Sequence, residues 1–367
     1  MLIHMSESSN KPPSGSLTTR STEGGDNARQ EAGIGVPSHI AGTGSLDRLV
    51  DSARDYAGFA TAENTNKAYK VDWAQFTRWC RMRGTDPLPP SPEMISLYLT
   101  DLASPSGKIS ALSVSTIDRR LSGLAWHFAQ RGFRLDRKNR HIATVLAGIR
   151  RKHARPPFQK EAILRDDLLA MVATLSFDLR GLRDRAILLL GFAGGLRRSE
   201  IVSLDHSKDD TFDSSGWVHI KDQGALLTLN AKTGWREVEI GRGSTNQTCP
   251  VHALEKWLHF AKISFGPIFV RISRDGKNAL ETRLNDKHVA RLIKQTVLDA
   301  GIRAELPDKE RLALFSGHSL RAGLASSAQV DERYVQKHLG HASVEMTRRY
   351  QRQRDRFRVN MTKAAGL

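Results

Sequence analysis

Apolar residues recur along this chain at helical spacing over most of its length and at strand spacing over one short stretch. Tyr69, Trp73, Phe76 and Cys80 fall at i, i+4, i+7 and i+11, one face of a helix, with Lys67, Lys70, Arg78 and Arg81 off that face. Pro87, Pro89, Pro90 and Pro92 then punctuate the chain, and Ser91 is placed to cap a helix beginning at Pro92. Val114, Ile117, Leu121, Leu124 and Phe128 form a second stripe, and another helix over about 137–152 ends in Arg150, Arg151 and Lys152. Helical patterns over about 166–175 and 182–193 run into Gly194 and Gly195, after which LRRSEIVSL starts a new helix. WVHIKD, ALLTLNA and WREVEIG are short and β-branched or alternating, with AKTG as the turn between the last two, so they predict a small antiparallel sheet. From Pro250 onward the pattern is helical again, and no repeat of 20–50 residues is visible.

This pattern divides the chain. Residues 1–45 are rich in Ser, Gly, Thr and Asn with almost no periodic apolar signal, and are expected to be a disordered tail. Residues 46–155 read as an all-helical domain, 156–163 as a basic, proline-containing linker, 164–354 as a second domain and 355–367 as a C-terminal tail. The fold class is mainly α with a small antiparallel β-sheet in the C-terminal half. A length of 367 residues agrees with two domains of roughly 100 to 200 residues each.

Charge narrows the function. Lys and Arg number 56 against 39 Asp and Glu, a net +17 that favours a polyanionic partner, nucleic acid first. The chain has no apolar run long enough for a membrane span and MLIHMSESSN has no secretory pattern, so a cytoplasmic protein is expected. Cys80 and Cys249 are far apart and without a CxxC partner, which points to buried apolar roles rather than a disulfide or zinc site.

Five short pieces of the second domain hold the candidate chemistry. In GGLRRSE, Arg197 begins a helix after a glycine break, with Glu200 three residues on as a partner; a solvated or paired arginine is the ordinary explanation of such a residue. In SGHSLR, His318 and Arg321 share a helix face, where an imidazole and a guanidinium fork could grip one phosphate. LGH supplies His341, and TRRYQR presents Tyr350 among Arg348, Arg349 and Arg352, cations that would favour phenolate character. Of the two tyrosines in this domain, Tyr334 is expected to pack. Lys232, in the AKTG turn, could be a solvated hairpin lysine or a proton donor to a leaving oxygen. KTG also occurs in penicillin-recognising serine enzymes, but no Ser-x-x-Lys nucleophile accompanies it. His318, His338 and His341 lack an Asp, Glu or Cys at ligand spacing, so no metal site is expected.

In their order, Arg197, Lys232, His318 to Arg321, His341 and Tyr350 resemble the tyrosine recombinases, the phage integrase family. GGLRRSE resembles the first arginine box, SGHSLR the His-x-x-Arg box, LGH the second-histidine motif and TRRY the nucleophile box. The resemblance covers about residues 46–355 and implies a helical core-binding domain, half of a DNA clamp, followed by a catalytic domain. It implies that Tyr350 attacks a DNA phosphorus to give a 3′-phosphotyrosine and a free 5′-hydroxyl, without a metal, ATP or other cofactor. Arg197 and Arg321 would stabilise the non-bridging oxygens, Lys232 protonate the leaving oxygen, His318 take the phenol proton, His341 bond the phosphate and Glu200 hold Arg197. Lys67, Lys70, Arg119, Arg120, Arg151 and Lys152 are the expected DNA contacts.

The implied partners are double-stranded DNA with specific recombination sites, a homotetramer on that DNA and an accessory directionality factor, and the implied location is cytoplasmic and nucleoid-associated. One stretch departs from the family pattern: AGLASSAQVDERYVQK, between Arg321 and LGH, is short and lacks a glycine turn. A type IB topoisomerase and a catalytically impaired DNA-binding accessory protein are the competing readings.

Overall fold

A computed structural model describes residues 46–104, 110–156, 158–231, 234–328, 331–340, 343, 345, 348 and 361–366. The segment 1–45, Lys232, His341 and Tyr350 lie outside the described residues, as does the tail apart from residues 361–366, which include a helical turn at Met361–Ala364. The chain divides into two compact units at Pro156 and Pro157.

The first unit is helical: α1 (Asp47–Phe59), α2 (Glu63–Met82), α3 (Pro92–Ala103), α4 (Val114–Gln130) and α5 (Arg140–His153). The Ser91 hydroxyl accepts from the Met94 N–H at 3.2 Å and so caps α3 at the residue before its proline. Phe76 and Cys80 of α2 pack with Ile95, Leu99, Ile117, Leu121, Leu124 and Phe128 into one core. Each such side chain contributes about 1.5–3 kcal/mol by leaving water. Asp72 also lies on the inner face of α2, 1% exposed, because Arg119 and Arg120 of α4 reach it.

The second unit opens with α6 (Arg165–Ala173), α7 (Leu179–Ala193) and the short α8 (Arg198–Val202). A four-stranded sheet follows in the order β1 (Leu204–Asp205), β2 (Gly216–Lys221), β3 (Gly224–Ala231) and β4 (Gly234–Gly241). β2 to β4 are antiparallel, with Leu229 opposite Arg236, whereas β1 runs parallel to β2. Leu227, Leu229, Val238 and Ile240 turn inward onto α7 and on α9 (Pro250–Ala261), whose Trp257 is fully buried and donates to the Ile268 carbonyl at 2.8 Å. Next come a hairpin of β5 (Val270–Ile272) and β6 (Ala279–Arg283), then α10 (Asp286–Asp299), α11 (Asp308–Leu314), α12 (Ser319–Ser327) and α13 (Glu332–Leu339). This hairpin corrects the all-helical expectation after Pro250: its strands are short and mostly exposed, so they carry no alternating apolar signal. Both cysteines are buried. Among the described residues no helix is long and apolar enough to cross a membrane.

Candidate active site

The first arginine box is built by a chain reversal. Gly195 ends α7 with a φ of +55°, and a Cβ there would stand 2.3 Å from a Leu339 methyl, so only glycine fits. Arg197 then becomes the N-cap of α8, and its backbone N–H donates to Glu200 Oε2 at 2.8 Å, as in the acid half of a capping box. Arg197 Nη1 donates to Glu200 Oε1 at 2.5 Å. Arg236, from β4, donates through Nη2 to Glu200 Oε2 at 3.0 Å. Burial raises the Glu200 carboxyl, but the Arg197 N–H and the two guanidinium groups outweigh it and hold the pKa below its ordinary value. Burial in turn lowers Arg236, an effect that Glu200 opposes.

The His-x-x-Arg box begins α12. Arg321 is only 2% exposed, and it donates through Nη1 to the Gly195 carbonyl at 2.6 Å and through Nη2 to the Leu339 carbonyl at 2.5 Å. One side chain therefore ties the glycine break before the first box to the LGH motif. His318, the N-cap of α12, keeps an exposed edge. Packing around its ring, then the positive charges of Arg321, Arg197 and Arg198, push its pKa below the ordinary value and favour neutral imidazole. Gly340 ends α13 with a φ of +61°, and a Cβ there would press on Arg236 Cδ at 2.7 Å. His338, in the last turn, donates from Nε2 to the Ala193 carbonyl at 3.0 Å, while burial lowers its pKa. Beside this network a groove of about 900 Å³ is lined by Trp217, Trp235, Arg236, Tyr334 and His338.

Arg197, Glu200, His318 and Arg321 are thus brought together, by hydrogen bonds or by charge, while Lys232, His341 and Tyr350 lie outside the described residues. Arg348, two residues before Tyr350, is described and pairs with Glu332 at 3.0 Å. Tyr334 does not pack as expected: it is 71% exposed, because α13 turns Val335 and Leu339 inward instead. Arg198 pairs with Asp286 at 3.0 Å. Sequence reasoning passed over Arg236, since alternation along a strand reads a charged residue as solvent-facing and only the structure turns this one inward.

In the first unit Lys67 pairs with Glu63 at 2.5 Å, and Lys70, Arg151 and Lys152 are exposed. Arg119 is partly exposed above Asp72, but Arg120 is turned inward, 13% exposed, and donates to the Tyr98 hydroxyl at 3.1 Å. Among the described residues no three His, Cys, Asp or Glu side chains are grouped to hold a metal.

Comparison with known proteins gives this cluster a setting. A family model described as the phage integrase family matches residues 161–356. An integrase/recombinase xerD homolog of Selenomonas ruminantium is 32% identical over 326 residues, 86% of this chain and 89% of the relative. A tyrosine recombinase XerC of Thermodesulfovibrio yellowstonii is 26% identical over 302 residues, 79% of this chain and 85% of the relative. Among solved structures, XerH site-specific recombinase, bound to palindromic difH substrate in a post-cleavage complex, superposes with a TM-score of 0.56 and 15% identity, covering 87% of this chain and 84% of that one. A lambda integrase dimer bound to a COC′ core site gives 0.50 at 16% identity, covering 82% and 93%. The boxes that meet at Arg321 fall within the matched span, and the chain belongs to the phage integrase family of tyrosine recombinases, enzymes that cut and rejoin DNA.

Proposed function

We propose that this chain is a site-specific recombinase that cuts and rejoins duplex DNA through a 3′-phosphotyrosine link on Tyr350. The observation that carries the reading is Arg321, a buried guanidinium hydrogen-bonded both to Gly195 and to Leu339, on which three sequence boxes converge. Arg197 and Arg236 flank the Glu200 carboxylate, and Arg321 is bonded to the Gly195 carbonyl two residues before Arg197, so the boxes carry three guanidinium groups to one carboxylate, the excess of positive charge a phosphate site requires.

In the proposed reaction the Tyr350 oxygen attacks phosphorus and the bond to the 5′-oxygen breaks. His318, kept neutral by its surroundings, takes the phenol proton, and Lys232 gives a proton to the departing 5′-oxygen. Arg197 and Arg321 stabilise the charge that grows on the non-bridging oxygens, His341 hydrogen-bonds the phosphate, and Glu200 fixes Arg197. The energy of the broken bond stays in the phosphotyrosine, and a 5′-hydroxyl from the partner strand reverses the step.

The helical unit would supply half of a DNA clamp, through Lys67, Lys70, Arg119, Arg151 and Lys152, while Arg120 holds Tyr98 and Asp72. DNA as partner is supported by the solved neighbours, which were captured on their sites. Assembly is proposed as a homotetramer on paired sites, with residues 355–367 docking on the neighbouring protomer and an accessory factor setting direction in the cytoplasm.

Strand exchange between two copies of a duplex site, selected by the full chain from random-sequence DNA, tests the reading. Exchange by the wild type and none by Tyr350→Phe, at equal binding, is expected. Relaxation of supercoiled DNA without exchange would instead assign a topoisomerase, and binding with neither would assign an accessory protein.

A further inference from the structure

Arg236 occupies a position that a strand normally gives to an apolar residue. In β4 its side chain points the same way as Val238 and Ile240, which are buried, and it is itself 9% exposed. A guanidinium taken out of water is costly unless its donors are met. Here both Nη groups are met, by two groups from two different boxes, while Nε has no hydrogen-bond partner among the described residues. Nη2 donates to Glu200, the carboxylate that receives both the backbone N–H and Nη1 of Arg197. Nη1 donates to the His338 carbonyl, in the last turn of α13 and three residues before His341. Gly340 leaves room for this arrangement, since a Cβ there would meet Arg236 Cδ. The strand that carries Arg236 also begins two residues after Lys232.

We propose that Arg236 is a positioning residue for strand cleavage: it sets the Arg197–Glu200 pair, the approach to His341 and the strand beside Lys232 in one register. The inference rests on the recombinase reading above. An arginine is needed because its two Nη groups lie in one rigid plane and can serve a carboxylate and a carbonyl at once. A lysine is a single point charge on a flexible stem.

The test is single-turnover cleavage of a nicked suicide duplex carrying the selected site, at saturating full-length protein, together with the affinity for the same duplex. Arg236→Lys keeps the positive charge beside Glu200 but not the fork. It is expected to bind within about threefold of wild type and to cleave about 10- to 100-fold more slowly, the size of loss that a misplacement near 1 Å produces. Glu200→Gln, similar in shape and made away from β4, should slow cleavage in the same way without weakening binding. The double variant should be no slower than the slower single, because both break one link. A residue that merely supports the fold would lower affinity, melting temperature and cleavage in parallel, and that result overturns the proposal. So does wild-type cleavage by Arg236→Lys, or multiplicative losses in the double variant. If the wild-type chain forms no covalent adduct, the recombinase reading fails with it; if the wild type does and the Arg236 variants match it, only the inference fails.

Discussion

Each unit of this molecule buries one carboxylate between two guanidinium groups, and the two carboxylates respond in opposite directions. Asp72, between Arg119 and Arg120, has its pKa raised: burial is the largest influence and exceeds the pull of both arginines. Glu200, between Arg197 and Arg236, has its pKa lowered although it too is buried. The count of charges is the same, so the hydrogen bonds decide. Glu200 accepts from the Arg197 backbone N–H, from Arg197 Nη1 and from Arg236 Nη2. Asp72 accepts from Arg119, but its Oδ1 has no hydrogen-bond partner among the described residues and stands 3.8 Å from Arg120 Nε, which also lacks one. A carboxylate met by several donors is kept as a preorganised anion and can hold a reactive arginine still; one met on a single side serves to pin two helices.

The contrast is sharpest in the chemistry itself. If the Glu200 cluster acts on the phosphate, Lys232→Ala should slow cleavage by about 10²- to 10⁴-fold, the usual contribution of a positioned proton donor. Replacing the bridging 5′-oxygen with sulfur should restore most of that rate, because a thiolate leaves without an acid. Arg197→Ala should cost about 10²- to 10³-fold and not be rescued, since its charge acts on the non-bridging oxygens. Equal rescue of both, or of neither, would remove Lys232 from the acid role. Asp72→Ala, by contrast, should leave cleavage by the saturated complex unchanged.

Its effect should fall on folding. Removing Asp72 leaves Arg120 buried without its counter-ion, and urea unfolding of the full chain should show a loss of about 3 kcal/mol in the helical unit's transition. An unchanged midpoint would mean that Arg120 reaches solvent and that the two clusters do not differ in the way described.

A smaller effect, and the one that tests the opposite pKa directions, is the acid limb of stability. Glu200 titrates below its unfolded value of 4.5, so the stability it gives is present above that pH and is lost as the pH falls from 4.5 through its folded pKa. Asp72 titrates above its unfolded value of 3.8, so its contribution improves as the pH falls through its folded pKa toward 3.8. Urea titrations across this range should therefore show the difference between wild type and Glu200→Gln shrinking with acid, while that between wild type and Asp72→Asn moves in favour of the wild type. Parallel trends would contradict the comparison.

Much of the architecture was legible in the sequence because it is periodic. The stripe from Ile117 to Phe128 is fully buried, Ser91 caps α3, and the three strand segments pair as an antiparallel sheet. What was illegible is where polar residues occupy inward positions. Asp72 sits between Tyr69 and Phe76 on the inner face of α2, and Arg236 sits inward on β4, yet periodicity reads a charged residue as a solvent-facing one. Their partners come from α4 and α8, and no local pattern announces such pairings. Tyr334 failed in the other direction: its exposure is fixed by which side of α13 Leu339 must turn to meet Gly195. The motif residues Arg197, His318 and Arg321 were recognisable from their order, but not the hydrogen bonds that join Arg321 to Gly195 and Leu339.

The central claim is that this cluster serves a tyrosine nucleophile, and the most direct measurement is to trap the wild-type chain on a nicked suicide duplex, digest it and identify the residue that carries the 3′-phosphate. The account predicts a phosphotyrosyl link at Tyr350, absent from Tyr350→Phe and unaffected in Tyr334→Phe. A link at Tyr334, or an adduct that persists without Tyr350, would contradict it.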